Sequence, residues 1–219
     1  SDVCSSDLAL AIGIMRLSLF LFFACFSLIS AAEYDLLIQN AQILDGTGAP
    51  AFTGSIGIQD GRITAIGAVT GSAKDVIDAT GQYAAPGFID VHTHSEKICD
   101  VPAAENFLRM GVTTIVTGNC GMSRTDVARF FAEITKTGTT LNVATLIGHG
   151  DIREQGMGGK FIRAPNADQL EAMKKLVDQA MKDGAVGMST GLIYVPGSFA
   201  KTDELIALAT IVAQHDGVY

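Results

Sequence analysis

After Pro86 the chain alternates four times between a short apolar strand and a helix, and this alternation restricts the fold more than any other feature. The predicted strands cover residues 88–91, 113–117, 141–147 and 185–188, and the predicted helices cover residues 103–110, 127–134, 170–181 and 205–212. A further strand begins at Val218. Strands that alternate with helices lie parallel and are joined by right-handed crossovers. We therefore predict an α/β fold built on a parallel sheet.

The lengths of the predicted loops indicate which parallel fold this is. Helix-to-strand connections are short, whereas the loops that follow Val91, Ile147 and Ser189 run to about ten, eighteen and twelve residues, which is long for a compact domain. Long loops at the carboxyl ends of the strands are typical of a (β/α)8 barrel, which has its active site on that face. A doubly wound sheet shares this asymmetry but usually carries a glycine-rich turn after its first strand. Here the first strand ends in His-Thr-His, so residues 86–219 are predicted to form the N-terminal half of a TIM-like barrel.

Residues 33–85 show no helical periodicity and are predicted to form a small β-sandwich domain. Their short apolar or alternating segments are separated by turn signals such as Asp45-Gly46, Asp60-Gly61 and Thr80-Gly81. Asp60-Gly61 lies between two alternating runs, which is a strong signal for a two-residue hairpin.

The first 32 residues are predicted to be targeting sequence rather than part of the fold. Met15-Arg16 precedes an apolar run that ends at Ile29, and small residues follow up to Ala32, as in a secretory signal peptide. The alternative is a membrane anchor, since an apolar stretch counted from Leu8 is long enough to span a bilayer. Residues 1–8 resemble a translated sequencing adapter. We expect a periplasmic or secreted protein that keeps no stable membrane association after cleavage.

The composition excludes two classes of protein. Hydrophobic residues make up 48% of the chain and charged residues 17%, which is inconsistent with an intrinsically disordered protein. The net charge is −8 with only 15 Lys and Arg residues, so no basic face for nucleic acid is expected.

Two histidines mark the end of the first predicted barrel strand. His92 and His94 are two residues apart, so their side chains point to the same side of an extended backbone. Neutral imidazole is the commonest metal ligand. Because barrel sites lie at this end of the strands, we predict that both residues bind a metal; a purely structural pair is the alternative.

A cysteine follows the second predicted strand. Cys120 lies in the segment TGNCG, whose glycines permit a sharp turn, and neighbouring barrel strands end close together. A thiolate combined with imidazoles favours zinc over magnesium or calcium. We predict Cys120 as a third metal ligand. A disulfide with Cys99 or an inert buried thiol remains an alternative.

These segments together resemble the amidohydrolase superfamily and, within it, the D-aminoacylases, which are N-acyl-D-amino-acid deacylases. Residues 86–94 (PGFIDVHTH) are similar to the first-strand signature of the superfamily. The resemblance to D-aminoacylases is carried by residues 111–114 (GVTT), 118–121 (GNCG), 148–153 (GHGDIR), 189–194 (STGLIY) and 196–197 (PG). The segments YDLLI at 34–38 and DGRI at 60–63 resemble the small β-domain of these enzymes, so the likeness covers residues 34–219.

The resemblance implies that His92 and His94 bind one zinc position and that Cys120 supplies a thiolate to a centre of one or two zinc ions. Hydantoinase-like relatives use a carbamylated lysine at the end of strand four, and this chain has none there. The family often has an aspartate or an acid pair after the second histidine, where this chain has Ser95-Glu96. Two more histidine ligands and a catalytic aspartate are expected beyond Tyr219, so no catalytic residue is assigned within the 219 residues.

Three further residues are candidates for substrate binding. Tyr194, in the loop after strand four, is predicted to line the pocket or else to pack against the barrel. His149 lies between glycines after strand three and is predicted to face the site or to hold its loop. Arg153 could pair with a substrate carboxylate through its planar fork of donors, although a solvated loop charge is the alternative.

The predicted function is zinc-dependent hydrolysis of a non-peptide amide bond that releases a free D-amino acid from an N-acyl-D-amino acid. Zinc lowers the pKa of a bound water to about 7 and polarises a carbonyl. The alternatives are another amidohydrolase, dipeptidase-like or acting on cyclic amides, and a half-barrel fragment that binds metal without turnover. We expect the 219-residue chain alone to bind metal weakly, to be inactive and to associate through its open sheet edges.

Overall fold

The computed structural model describes residues 33–219, so the predicted signal peptide from Met15 to Ala32 lies outside the described residues. The contacts between residues divide this part of the chain into two compact units, with the boundary after Pro86. Within residues 33–219, no helix combines the length and the hydropathy needed to cross a bilayer.

The first unit is a five-stranded sheet. Its strands are β1 (Tyr34–Ile43), β2 (Phe52–Gln59), β3 (Arg62–Gly67), β4 (Ala73–Asp78) and β5 (Tyr83–Ala84). The strand order is β3-β2-β1-β4, and β5 also pairs with β1. β2 is antiparallel to β1 and β3, whereas β4 and β5 run parallel to β1. The second layer of the predicted sandwich is not seen among the described residues, which form this one sheet.

The turn between β2 and β3 confirms the predicted hairpin. Gln59 pairs with Arg62, and the two residues between them, Asp60 and Gly61, both have positive φ values, of 51° and 70°. Positive φ at both central residues is the requirement of a type I′ turn. β1 is one continuous strand, because a bulge at Asn40, with φ 60°, shifts its register instead of ending it.

The second unit alternates strands and helices. Its strands are β6 (Phe88–Asp90), β7 (Val112–Thr117), β8 (Asn142–Gly148) and β9 (Gly187–Ser189), and its helices are α1 (Glu105–Arg109), α2 (Val127–Thr137), α3 (His149–Gly156), α4 (Ala167–Lys182) and α5 (Thr202–Ala213). The order β6-β7-β8-β9 is parallel throughout, and Val218 continues it by pairing with Gly187. The predicted curled parallel half-barrel is therefore present.

Apolar faces of the helices cover this sheet. Met173, Val177 and Ala180 recur at helical spacing along α4 and are all at most 1% exposed. They pack with Ile147 of β8 and Leu208 of α5 in one core cluster. A second cluster, around Ile115 of β7 and Phe130 of α2, fills the space near the start of the sheet.

α4 begins at Ala167, three residues before the predicted start at residue 170, and hydrogen bonds between Asn166 and Gln169 fix this start. The side chain of Asn166 accepts a hydrogen bond from the backbone N–H of Gln169 at 2.8 Å. The side chain of Gln169 in turn accepts from the backbone N–H of Asn166 at 3.1 Å. This is a capping box, which satisfies two N–H groups that have no partner within the helix.

One element differs from expectation. The segment after β8 was predicted as a long loop, but it begins with α3, which runs from His149 to Gly156. The segment HGDIREQG has two glycines and only one large apolar residue, so it carries no periodic signal. Tertiary contacts of its buried residues His149, Ile152 and Arg153 stabilise the helix instead.

Candidate metal centre

Three predicted ligands converge at the carboxyl ends of β6 and β7. One nitrogen each of His92 and His94 and the sulfur of Cys120 all lie within 4.8 Å of one another. The closest described pair is Cys120 Sγ and His92 Nε2, at 3.4 Å. The two imidazole rings have centroids 5.7 Å apart and meet edge to face. Both histidines are exposed and Cys120 is half-buried, so the cluster is accessible.

The residue between the two histidines explains why they share one side. Thr93 is 6% exposed, and both its backbone N–H and its hydroxyl donate to the carbonyl oxygen of Val116 at 3.0 Å. Because side chains alternate along an extended backbone, burying Thr93 turns His92 and His94 to the opposite side. The carboxylate of Asp90 accepts from the N–H of His92 at 3.1 Å and steadies the start of the segment.

The loop that carries Cys120 is held in an unusual backbone conformation. Gly118, Cys120 and Gly121 all have positive φ, of 81°, 56° and 78°. The hydroxyl of Ser189, at the end of β9, donates to the carbonyl of Gly118 at 2.5 Å and accepts from the N–H of Gly121 at 2.9 Å. One side chain from the neighbouring part of the sheet therefore clamps the loop on both sides of the cysteine.

The donor set fits a zinc ion. Bonds of about 2.0–2.3 Å to nitrogen and sulfur place two ligands of a tetrahedral zinc ion roughly 3.3–3.8 Å apart, and the Cys120–His92 separation of 3.4 Å falls in that range. Imidazole and thiolate are the ligand types that zinc prefers over harder oxygen-seeking cations. Cys99 and Cys120 are both free thiols, so the alternative of a disulfide between them is not formed.

Glu96 connects the histidine segment to β7. Its Oε1 accepts from the hydroxyl of Thr117 at 2.8 Å and from the N–H of Gly118 at 3.0 Å. The same Thr117 hydroxyl accepts from the N–H of Ser95 at 3.0 Å. Glu96 therefore fixes the position where the loop of Cys120 leaves β7.

Asp151, at the first turn of α3, holds the far end of that loop. Its Oδ2 accepts from the N–H of Ser123 at 2.6 Å. Burial raises the pKa of this carboxyl, the Ser123 N–H opposes that rise, and the negative charges of Glu154 and Glu96 add to it. The Asp151 carboxyl thus links the start of α3 to the segment that follows Cys120.

His149 and Arg153 lie in a buried cluster with Glu204. His149 Nε2 is 2.9 Å from Glu204 Oε1, and Arg153 pairs with Glu204 Oε2. Arg153 also donates to the carbonyl oxygens of Phe161, at 3.1 Å, and Arg163, at 2.6 Å. Both predicted substrate-binding residues are 0% exposed, so these contacts favour a structural role for them.

The pKa of Glu204 reflects this cluster. Burial by itself raises the pKa of the carboxyl, but the hydrogen bonds and positive charge of His149 and Arg153 outweigh that effect and lower it. Glu204 is 4% exposed and is therefore held as a buried, paired carboxylate that joins α5 to α3.

Tyr194 is the one predicted substrate-binding residue with an accessible side chain, at 51% exposed. Its described hydrogen bonds are made by the backbone, to Gly191 and Ser198. A separate cavity of about 250 Å³ opens beside His94, and Lys97, Ile98 and Phe107 form part of its wall. A role in substrate binding stays a prediction for Tyr194.

Three residues with long-range hydrogen bonds escaped the sequence reasoning: Asn119, Ser189 and Glu204. Ser189 and Asn119 lie within motifs that were singled out, yet their side chains bond to backbone atoms of segments that are distant in sequence, which no pattern displays. Glu204 lies in the first turn of α5, where an acidic residue commonly complements the start of a helix. Its partner His149 lies 55 residues away, so only the fold reveals the pair.

The fold and the cluster agree with the comparison to protein families. The model of the amidohydrolase family matches residues 75–215, which is more than half of the chain. The chain belongs to the amidohydrolase family.

The curated relatives narrow the resemblance. The chain is 33% identical to the N-acyl-D-glutamate deacylase and to the D-aminoacylase of Alcaligenes xylosoxydans xylosoxydans, in each case over 85% of this chain and 43% of the relative. The chain thus spans less than half the length of these relatives. Their names confirm the resemblance to D-aminoacylases that the motifs indicate.

Solved structures of deacylases are also similar to this chain. N-acyl-D-glutamate deacylase from Bordetella bronchiseptica, a complex with zinc and a phosphonate inhibitor, matches with a TM-score of 0.80 and 36% identity. The match covers 84% of this chain and 44% of that one. A D-aminoacylase described with a binuclear metal centre matches with a TM-score of 0.81 and 31% identity, over 85% and 44% of the two chains. An L-hydantoinase from Arthrobacter aurescens, at 21% identity and a TM-score of 0.52, shares the fold alone.

Proposed function

We propose that this chain is part of a zinc-dependent hydrolase that deacylates N-acyl-D-amino acids. The observation that carries the proposal is the convergence of His92, His94 and Cys120 at the carboxyl ends of neighbouring parallel strands. The deacylases named above support the substrate class, and the zinc in one of their structures supports the metal.

In this proposal His92, His94 and Cys120 hold the metal. Zinc bound there supplies a Lewis acid that polarises the amide carbonyl and makes water more acidic. The protein residues around it keep the donors in place: Thr93 directs the two imidazoles, and Glu96 and Ser189 fix the loop of the cysteine. Sequence after Tyr219 is proposed to supply further metal ligands and a catalytic aspartate. Those ligands would also hold a second zinc ion.

The surroundings of the centre suggest how substrate is bound. We assign Tyr194 to the rim of the substrate pocket because its side chain is accessible. The cavity beside His94 offers apolar contacts from Ile98 and Phe107 together with the cation of Lys97. For His149 and Arg153 we propose a supporting role, because both side chains are buried and pair with Glu204, and Arg153 also donates to backbone carbonyls.

Export and the remaining architecture complete the proposal. A signal peptide from Met15 to Ala32 would deliver the enzyme to the periplasm or the exterior. The full enzyme would complete both the barrel and a β-sandwich whose first layer is the sheet β1–β5. Its partner is a small N-acyl-D-amino acid rather than a nucleic acid, in keeping with the net charge of −8.

The test is a deacylation assay of the zinc-loaded enzyme expressed from the full coding sequence. Free amine is measured after incubation with N-acetyl-D- and N-acetyl-L-amino acids. We expect turnover of the D substrates, and Cys120→Ser should reduce it by at least about 10²-fold because a metal ligand is lost. Cys99→Ser is the matched control, since that free thiol is outside the cluster.

Two results would contradict the proposal: turnover without preference for the D substrates, or full activity of Cys120→Ser. The 219-residue chain is assayed in parallel and is expected to be inactive. Deacylation by that chain alone would show that no residue beyond Tyr219 is needed.

A further inference from the structure

We infer that Asn119 is a positioning residue of the metal centre, and that its side-chain amide locks the strand carrying both histidines to the loop carrying the cysteine. The inference rests on the proposed function, because it assumes that His92, His94 and Cys120 bind metal. Asn119 is 7% exposed and directly precedes Cys120, although it contributes no ligand atom to the cluster.

The amide of Asn119 reaches the backbone on both sides of His92. Its Nδ2 lies 3.3 Å from the carbonyl oxygen of Thr93 and 3.5 Å from that of Val91. It also lies 3.1 Å from the carbonyl oxygen of Val116 in β7. A single NH₂ group is therefore placed against three carbonyl oxygens, two of which belong to the peptide units directly before His92 and His94.

The backbone on both sides of Asn119 is constrained, at Gly118 and at Cys120. Cys120 has a φ of 56°, in the left-handed region that residues other than glycine rarely adopt. Gly118 before Asn119 is closely packed, since a Cβ there would lie 2.1 Å from the carbonyl oxygen of Leu146. Because neither neighbour can move freely, the contacts of Asn119 set the distance between the sulfur and the imidazoles.

The chemistry of the group identifies the variant that tests it. An aspartate has the shape of asparagine but carries only acceptors when ionised. At position 119 it would face carbonyl oxygens that are also acceptors, so the link would be replaced by repulsion. If Asn119 merely filled space, the isosteric aspartate would be tolerated; if its N–H groups act as the link, Asn119→Asp is at least as damaging as Asn119→Ala.

Metal affinity is the readout, measured on the enzyme from the full coding sequence without reference to turnover. Zinc is titrated against a competing chelator, and cobalt(II) alone serves as a probe through its thiolate charge-transfer absorption. Loss of residues that orient metal ligands typically lowers affinity by about 10–100-fold. We expect a loss of that size for Asn119→Ala, an equal or larger loss for Asn119→Asp, and a weakened cobalt–thiolate band in both.

Two controls separate this role from general stability. Asn142→Ala removes an amide that donates from β8 to the carbonyl of Thr113 at 3.1 Å, at the opposite end of β7. Val177→Ala opens the core of the second unit away from the centre. Both should lower the melting temperature and leave zinc affinity within about 2-fold of wild type. Asn119→Ser, a smaller change, is measured beside them in case the other variants fold poorly.

The outcomes distinguish the two proposals. Zinc affinity in the Asn119 variants equal to that of the controls overturns the role of Asn119 and leaves the metal centre standing. A wild-type enzyme that binds neither zinc nor cobalt through a thiolate overturns the centre and the inference together. Weaker binding in the Asn119 variants but not in the controls establishes the link.

Discussion

At the scale of single residues, the candidate centre depends on a backbone position that only glycine can occupy. Gly118 has a φ of 81°, and a Cβ there would lie 2.1 Å from the carbonyl oxygen of Leu146 and 3.0 Å from its nitrogen. A side-chain Cβ does not lie this close to non-bonded backbone atoms, so an added Cβ would displace the backbone. The absence of a side chain at Gly118 therefore lets the loop of Cys120 pass directly over β8.

A glycine substitution tests this close approach. Gly118→Ala should destabilise the protein by more than the roughly 1–2 kcal/mol that a left-handed conformation costs a residue with a Cβ, because it also forces β8 to move. Gly61→Ala is the matched control, since Gly61 has a φ of 70° in the type I′ turn and nothing lies within 4 Å of the added carbon. Urea denaturation measures both, and equal losses would contradict the argument.

The sequence predicts the donors of the centre but not the residues that hold them. His92 and His94 are recognisable because their spacing and their position at a strand end are visible in one segment. The side chains of Asn119 and Ser189 form hydrogen bonds with backbone atoms of segments that are distant in sequence. Backbone atoms are the same in every residue, so the sequence does not reveal these bonds. Their contribution becomes visible only when the strands are placed side by side.

At the scale of elements, a buried charged cluster joins α3 to α5. Glu204 from the first turn of α5 accepts from His149 and Arg153 of α3, and all three residues are at most 4% exposed. Breaking a buried pair by removing one partner costs about 3–5 kcal/mol, because the other charge stays behind. The contacts with Glu204 therefore stabilise α3, whose sequence has no apolar periodicity.

The cluster makes stability depend on pH in a defined direction. The pKa of Glu204 is lowered in the folded protein from its ordinary value of 4.5. The stabilisation is therefore fully present above 4.5 and is lost as the pH falls through the lower, folded pKa. We expect Glu204→Gln to destabilise the protein by about 3–5 kcal/mol at pH 7, and the difference from wild type to shrink below pH 4.5.

The measurement is urea denaturation of both proteins across the acid range. Glu171→Gln is the control, since Glu171 pairs with Lys174 on the exposed side of α4 and should change stability by less than about 1 kcal/mol. A difference between wild type and Glu204→Gln that stayed constant down to pH 3 would show that the carboxylate of Glu204 is not the source.

Element prediction succeeded where local signals were strong. The hairpin at Asp60-Gly61 is as expected, because its turn is specified within four residues. The helix α3 was missed because its stability comes from the buried contacts of His149 and Arg153 with a distant element. A periodic pattern reveals a helix with an apolar face, whereas α3 is held by the pairing of His149 and Arg153 with Glu204.

At the scale of the molecule, the four-stranded parallel sheet leaves apolar residues exposed on its first strand. Phe88, Ile89 and Val91 are 62%, 62% and 67% exposed in or directly after β6. Exposed edges with apolar side chains favour association. We expect the 219-residue chain to self-associate at micromolar concentration.

Sedimentation velocity tests this expectation. Ile89→Lys and Val91→Lys together should shift the distribution towards monomer, because charge on an edge strand opposes pairing. Ile206→Lys is the control, since Ile206 is 59% exposed on α5 rather than on the sheet edge. A monodisperse wild-type chain, or an equal response to the control, would contradict the expectation.

The central claim is that Cys120 and the two histidines bind one zinc ion, and X-ray absorption at the zinc edge tests it most directly. The zinc-loaded enzyme from the full coding sequence should show a sulfur neighbour at about 2.3 Å beside nitrogen or oxygen neighbours at about 2.0–2.1 Å. The sulfur signal should vanish in Cys120→Ser and persist in Cys99→Ser. A wild-type spectrum with no sulfur neighbour, or a sulfur signal that survives Cys120→Ser, would contradict the claim.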